Sequence, residues 1–225
     1  MPGDQDSLSS LDLRVLFGTN ASASERLKTL TDFATVVRSR MQSVASAASA
    51  GADTVAERGG QLLSEVVDRL PIRFVDELTE KFGDDPAARA SGVITEAAEL
   101  ASWLWRVIKT IPVPDESLHP AKVVLHSAIE IRMVGELFEA HRAPDDPPTP
   151  LPTILAAWAS QGQARSEWTV MSVATVLVSQ VRRALNTLRS SQGLIKTWRT
   201  KGEEGATIVR ELGERLNEAL RTTVG

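Results

Sequence analysis

Residues 121–140 read AKVVLHSAIEIRMVGELFEA. Wound at about 3.6 residues per turn, this stretch places Val123, Val124, Leu125, Ala128, Ile129, Ile131, Met133, Val134, Leu137 and Phe138 around most of its axis. A helix apolar on nearly every side is a central helix, packed by others. Arg132, Glu136 and Glu139 share the one polar strip, whereas Glu130 falls between Val123, Val134 and Leu137, one turn from His126. A carboxylate buried without a partner is costly, so Glu130 requires one: His126 at i−4, or an arginine from a neighbouring helix.

Proline and glycine mark the breaks on either side of this helix. PDDPPTPL, from Pro144 to Leu151, holds four of the eleven prolines and is the best domain linker; IPVPDESLHP (111–120) and FGDDP (82–86) are further breakers. Between breaks the apolar residues recur at helical spacing, without the alternation or turn pairs of hairpins. An all-α fold follows, a multi-helix bundle with helices expected over 72–82, 87–109, 121–140, 153–160, 166–189 and 203–222. Asp84 and Asp85 suit the N-terminus of the second of these, where carboxylates bond free amides and complement the dipole. Leu100, Leu104, Val124, Ile131, Val134, Leu177 and Val181 are expected in the core, and Trp103, lying among charges, is expected under another element.

Upstream, Leu27, Leu30, Ala34, Val37, Met41, Val44 and Ala48 are spaced alternately by three and four residues. That regularity predicts a long amphipathic, heptad-patterned N-terminal helix with a narrow apolar seam suited to a second helix. The seam falters through SAGADTVAERGG (49–60) and resumes at Leu63, Val66 and Leu70. The organisation read from these breaks is a flexible segment over 1–20, an amphipathic helical region over 21–70, a central core over 71–143, a linker over 144–152, and C-terminal helices over 153–225.

The composition excludes several classes of protein. With 42% apolar residues the chain has material for a core, yet no apolar run reaches the ~18 residues that cross a bilayer. MPGDQDSLSS is acidic and polar where a secretory signal is basic and then apolar. No cysteine is present, so disulfides, zinc thiolates and thiol nucleophiles are excluded. Phosphate-loop, dinucleotide, HExxH and G-x-S-x-G patterns do not occur, and no cofactor is expected.

Charge is divided unevenly along the chain. Residues 1–152 hold 15 Lys plus Arg against 23 Asp plus Glu, while 153–225 hold 10 against 6. No acid lies between Glu167 and Glu203, where Arg182, Arg183, Arg189, Lys196, Arg199 and Lys201 gather around Trp198. An indole among aliphatics and cations suits an anionic bilayer surface, or an acidic face of this chain or of a second copy. Nucleic acid is a poorer partner for a chain of net charge −4 without a helix-turn-helix spacing.

DRLPIRFVDEL (68–78) and IPVPDESLHPAKVVLHSAIEIRMVGELFEAH (111–141) resemble a group of uncharacterised helical proteins of high-GC bacteria. That group shares a PIR-type turn, a PVP turn and a V-x-I-x-L/M-V-x-E-L-x-E helix, and is itself loosely similar to the EcsC family. Ile129, Ile131, Met133, Val134, Glu136, Leu137 and Glu139 match its helix. The resemblance implies a cytoplasmic, membrane-apposed helical protein linked to exporter systems, without an established chemistry.

Three functional readings follow. The first is a non-enzymatic helical protein acting by contact, on a partner protein or peripherally at an anionic membrane through the Trp198 patch. The second is a phasin-like or coiled-coil assembly protein that coats a surface or forms a homo-oligomer through the Leu27–Ala48 seam. The third is a metal-dependent enzyme centred on His126 and Glu130, since imidazole and carboxylate on one face can converge on an ion.

Overall fold

The computed structural model describes residues 8–18, 21–45, 52–108, 111, 115–161, 176–180 and 202–222. Every regular element among them is helical, and the fold class is all-α. After a short 3₁₀ turn at Leu8–Ser10 come α1 (Leu13–Phe17), α2 (Ala23–Ala45), α3 (Ala52–Val67), α4 (Val75–Phe82), α5 (Pro86–Val107), α6 (Asp115–His141) and α7 (Leu151–Ala159). Residues 176–180 are helical, and the last described helix, α8, is Gly202–Arg221. The chain divides into two compact units.

The first unit takes in residues 1–71, 105–128 and 177–200. Asp12 caps α1, its Oδ1 accepting from the Arg14 amide at 2.9 Å. The start of α2 is fixed by a capping box: the Glu25 amide donates to Ser22 Oγ at 3.2 Å, and the Ser22 amide donates to Glu25 Oε2 at 2.9 Å. Leu30, Phe33, Ala34, Val36 and Val37 of α2 are buried, as are Leu62, Leu63, Val66 and Val67 of α3. The buried face of α2 is therefore broader than a heptad seam, because Phe33 and Val36 fill the positions between the spaced residues. Leu27, counted in the seam, is 41% exposed. Ala48 and the side chains of Met41 and Val44 lie outside the described residues. The chain also runs helically through Gly59 and Gly60, where the apolar pattern weakens.

The second unit takes in residues 72–104, 129–176 and 201–225. Gly83, at φ +91°, ends α4 in a conformation that costs glycine no steric penalty. Asp85 then starts α5, its two oxygens accepting from the Ala87 and Ala88 amides at 3.1 and 3.2 Å, with Pro86 at the first helical position. Every residue of α6 from Ser127 to Ala140 is buried, which fits a helix apolar around its axis. Gly135 lets the Ile72 side chain approach, since a β-carbon there would sit 2.8 Å from Ile72 Cδ1. Ile154, Leu155 and Trp158 of α7 and Val209, Leu212, Leu216 and Leu220 of α8 complete the unit's buried apolar side chains.

Three expectations from the sequence need correction. Helix α6 begins at Asp115, six residues before the expected Ala121, and continues through Pro120. Pro120, sixth in the helix, forgoes the one bond its amide would make to the carbonyl of residue 116, and twenty-one further helical residues (121–141) outweigh that loss. Leu100 is half-buried, not core. The Arg132, Glu136 and Glu139 strip, expected as the polar face of α6, is buried. Leu104, Val124, Ile131, Val134 and Leu177 are core as expected, Trp103 is half-buried, and Val181 lies outside the described residues.

Candidate functional site

The polar chemistry of the second unit gathers along the C-terminal half of α6, where Glu130, Arg132, Glu136 and Glu139 are all buried. Glu136, 2% exposed, is the hub. Its Oε1 accepts from Arg73 Nε and from Arg132 Nε, each at 2.9 Å, and its Oε2 accepts from Arg73 Nη2 at 2.6 Å. The Arg73 amide adds a weaker bond to the same carboxylate at 3.3 Å. Arg73 is brought here by the irregular segment 70–74, and Arg132 by the i,i+4 geometry of α6 itself.

Arg73 passes the network on. Its Nη1 lies 2.9 Å from Glu96 Oε2 of α5, and Lys81 of α4 pairs with the other oxygen of Glu96. Both cations lie over the Phe82 ring, its centroid 5.6 Å from Arg73 Cζ and 5.5 Å from Lys81 Nζ. Burial works against the Arg73 cation, but hydrogen bonding and charge from Glu136, then from Glu96, outweigh it, so the guanidinium is held above its ordinary range.

Three more staples fix the end of α6. Arg89, 6% exposed, donates to Ala140 O from Nε and Nη2 at 3.1 and 2.9 Å, to Thr79 Oγ1 at 3.0 Å and to Asp84 O at 2.9 Å. Its charge thus rests on the Ala140 carbonyl at the negative end of the α6 dipole. Arg142 Nε donates to Glu139 Oε2 at 2.7 Å, and His141 Nε2 bonds Asn217 Oδ1 of α8 at 2.7 Å.

Glu130 receives a hydrogen bond from Trp158 Nε1 of α7 at 2.8 Å. An indole is thus one donor to this carboxylate, beside the His126 or arginine expected from the sequence. In the first unit, the His126 ring meets Trp105 edge-on at 6.2 Å between centroids. Among the described residues no three His, Asp or Glu side chains converge as metal ligands. Arg182, Arg183, Arg189, Lys196, Trp198, Arg199 and Lys201 lie outside the described residues.

Residue types alone did not single out Arg73, Arg89 or Trp158. The sequence places Arg73 in an expected helix over 72–82 and Arg132, Glu136 and Glu139 on a polar strip; α4 instead starts at Val75, which leaves Arg73 in the segment before it. What this arrangement does chemically is hold helices in register, because its carboxylate oxygens and guanidinium nitrogens are turned on one another. No family model, curated protein or solved structure matches the chain.

Proposed function

We propose that this is a non-enzymatic helical protein acting by contact, with a partner protein or peripherally at an anionic membrane surface. The observation that carries the reading is the buried network around Glu136. A helix whose ionised side chains are spent on Arg73, Arg132 and Arg142 serves as a frame, and recognition is left to the surface. The absence of any helix long and apolar enough to cross a membrane among the described residues is compatible with peripheral attachment. The charge imbalance favours the basic Trp198 segment as the attaching element, and the resemblance of residues 68–141 to helical proteins loosely similar to the EcsC family would suit a membrane-apposed chain. The test is co-sedimentation with anionic vesicles: binding is expected at low salt and is lost at high salt or with Lys196, Arg199 and Lys201 all changed to Glu. Binding indifferent to both would remove the membrane version.

A second reading, self-association of a helical bundle through its heptad-spaced N-terminal helix, is favoured by one observation. Leu27 stands exposed in line with the buried Leu30, Ala34 and Val37. Light scattering of the full chain and of Leu27→Glu decides it: a mass above the monomer that falls in the variant supports association, and monomers in both sink it.

A further inference from the structure

We propose that the pocket between α2 and α3 binds one phosphate group, carried on a lipid headgroup or free in solution. Arg58, Gln61, Leu62 and Glu65 follow one another at i, i+3, i+4 and i+7, so they share one face of α3, and Arg40 of α2 closes the opposite wall. Together they line a cavity of about 180 Å³, several times the volume a water occupies in the liquid.

Glu65 is already engaged. Arg40 Nη1 donates to its Oε1 at 2.7 Å and to its Oε2 at 2.9 Å, which holds the Arg40 side chain along the pocket wall. Arg58 is in a different position. It is exposed, and among the described residues its recorded partner is the neutral amide of Gln61, 3.3 Å from Nη1 to Oε1. Two guanidinium groups against one carboxylate leave the lining with a positive excess, and the uncommitted part of it sits on Arg58. A guanidinium is a planar fork of donors with no acceptor, matched by an oxyanion that only accepts. Buried Leu62 supplies an apolar floor that keeps part of the site out of water, which strengthens the charge-assisted bonds.

The proposal stands apart from the Trp198 segment, so the two can fail separately. Calorimetric titration of the full chain with inorganic phosphate at low salt is compared with co-sedimentation on phosphatidic acid and phosphatidylcholine vesicles. Arg58→Ala, checked for unchanged helicity, is expected to weaken binding about tenfold, and Arg58→Lys to recover part of it. Arg58-dependent binding of free phosphate identifies a soluble ligand. Arg58-dependent binding confined to phosphatidic acid vesicles identifies a headgroup. The proposal is overturned if wild type binds neither probe, or if Arg58→Ala binds both as wild type does. Loss of vesicle binding in the Lys196, Arg199 and Lys201 variant, with none in Arg58→Ala and with phosphate titrating Arg58→Ala as it does wild type, would sink this site and leave the membrane reading intact.

Discussion

Glu136, buried in the second unit, meets two guanidinium groups, and its removal takes from each a charge-assisted bond of 2.9 Å. Breaking one partner of a buried ion pair costs about 3–5 kcal/mol, far more than deleting a surface pair. Glu136→Ala is therefore expected to lower the unfolding free energy by an amount of that size, read as a lower urea midpoint at unchanged slope. A loss under 1 kcal/mol would mean that Arg73 and Arg132 find other partners easily. Trp158 acts through a single atom: Trp158→Phe keeps most of the apolar bulk in α7 but removes the indole donor to Glu130, with an expected cost of about 1–3 kcal/mol. A near-neutral result there would show that Glu130 does not depend on the indole.

At the level of elements, the helix starts carry separable contributions. Asp85→Ala removes both oxygens that satisfy the first amides of α5 and is expected to cost about 1 kcal/mol by denaturant titration. Ser22 holds the Glu25 carboxyl below the usual carboxylate range through its hydroxyl and then its amide. The folded chain thus binds that proton less tightly than the unfolded one. This contribution is present above the ordinary carboxylate pKa and is lost as pH falls through the lowered folded value. Glu25→Gln should flatten the acid side of a plot of melting temperature against pH, and an unchanged acid limb would count against the cap. Where α6 packs on Ile72, Gly135→Ala forces a β-carbon against Cδ1. It is expected to lower the melting temperature, whereas alanine in an open helix position raises it.

Across the molecule, ion pairs differ in how much salt can reach them. The Arg40–Glu65 side chains are 31% and 41% exposed, while Glu136 and Arg132 are 3% and 10% exposed. Raising ionic strength to about 1 M shortens the screening length to ~3 Å and should erase the effect of Glu65→Gln on stability while leaving that of Glu136→Ala largely intact. Equal sensitivity of both to salt would contradict the burial of the α6 strip.

The helical character of the chain follows from local rules. Apolar residues three and four apart, the Asp85 cap and the stop at Gly83 each act within a turn or two of their own position, so they can be read from neighbours in sequence alone. The placement of Leu104, Val124 and Ile131 in the core is legible for the same reason. Leu100 and Leu27 fall on apolar faces too, but how much of a face is covered depends on which element lies over it. The partners of the buried charges belong to that second kind. Arg73 reaches Glu136 across sixty-three positions and Trp158 reaches Glu130 across twenty-eight, distances over which sequence spacing carries no geometric information. A partner for Glu130 was demanded by the cost of burying it; that the Arg132, Glu136 and Glu139 strip is buried too, and which side chains answer these charges, was decided only when the chain closed on itself.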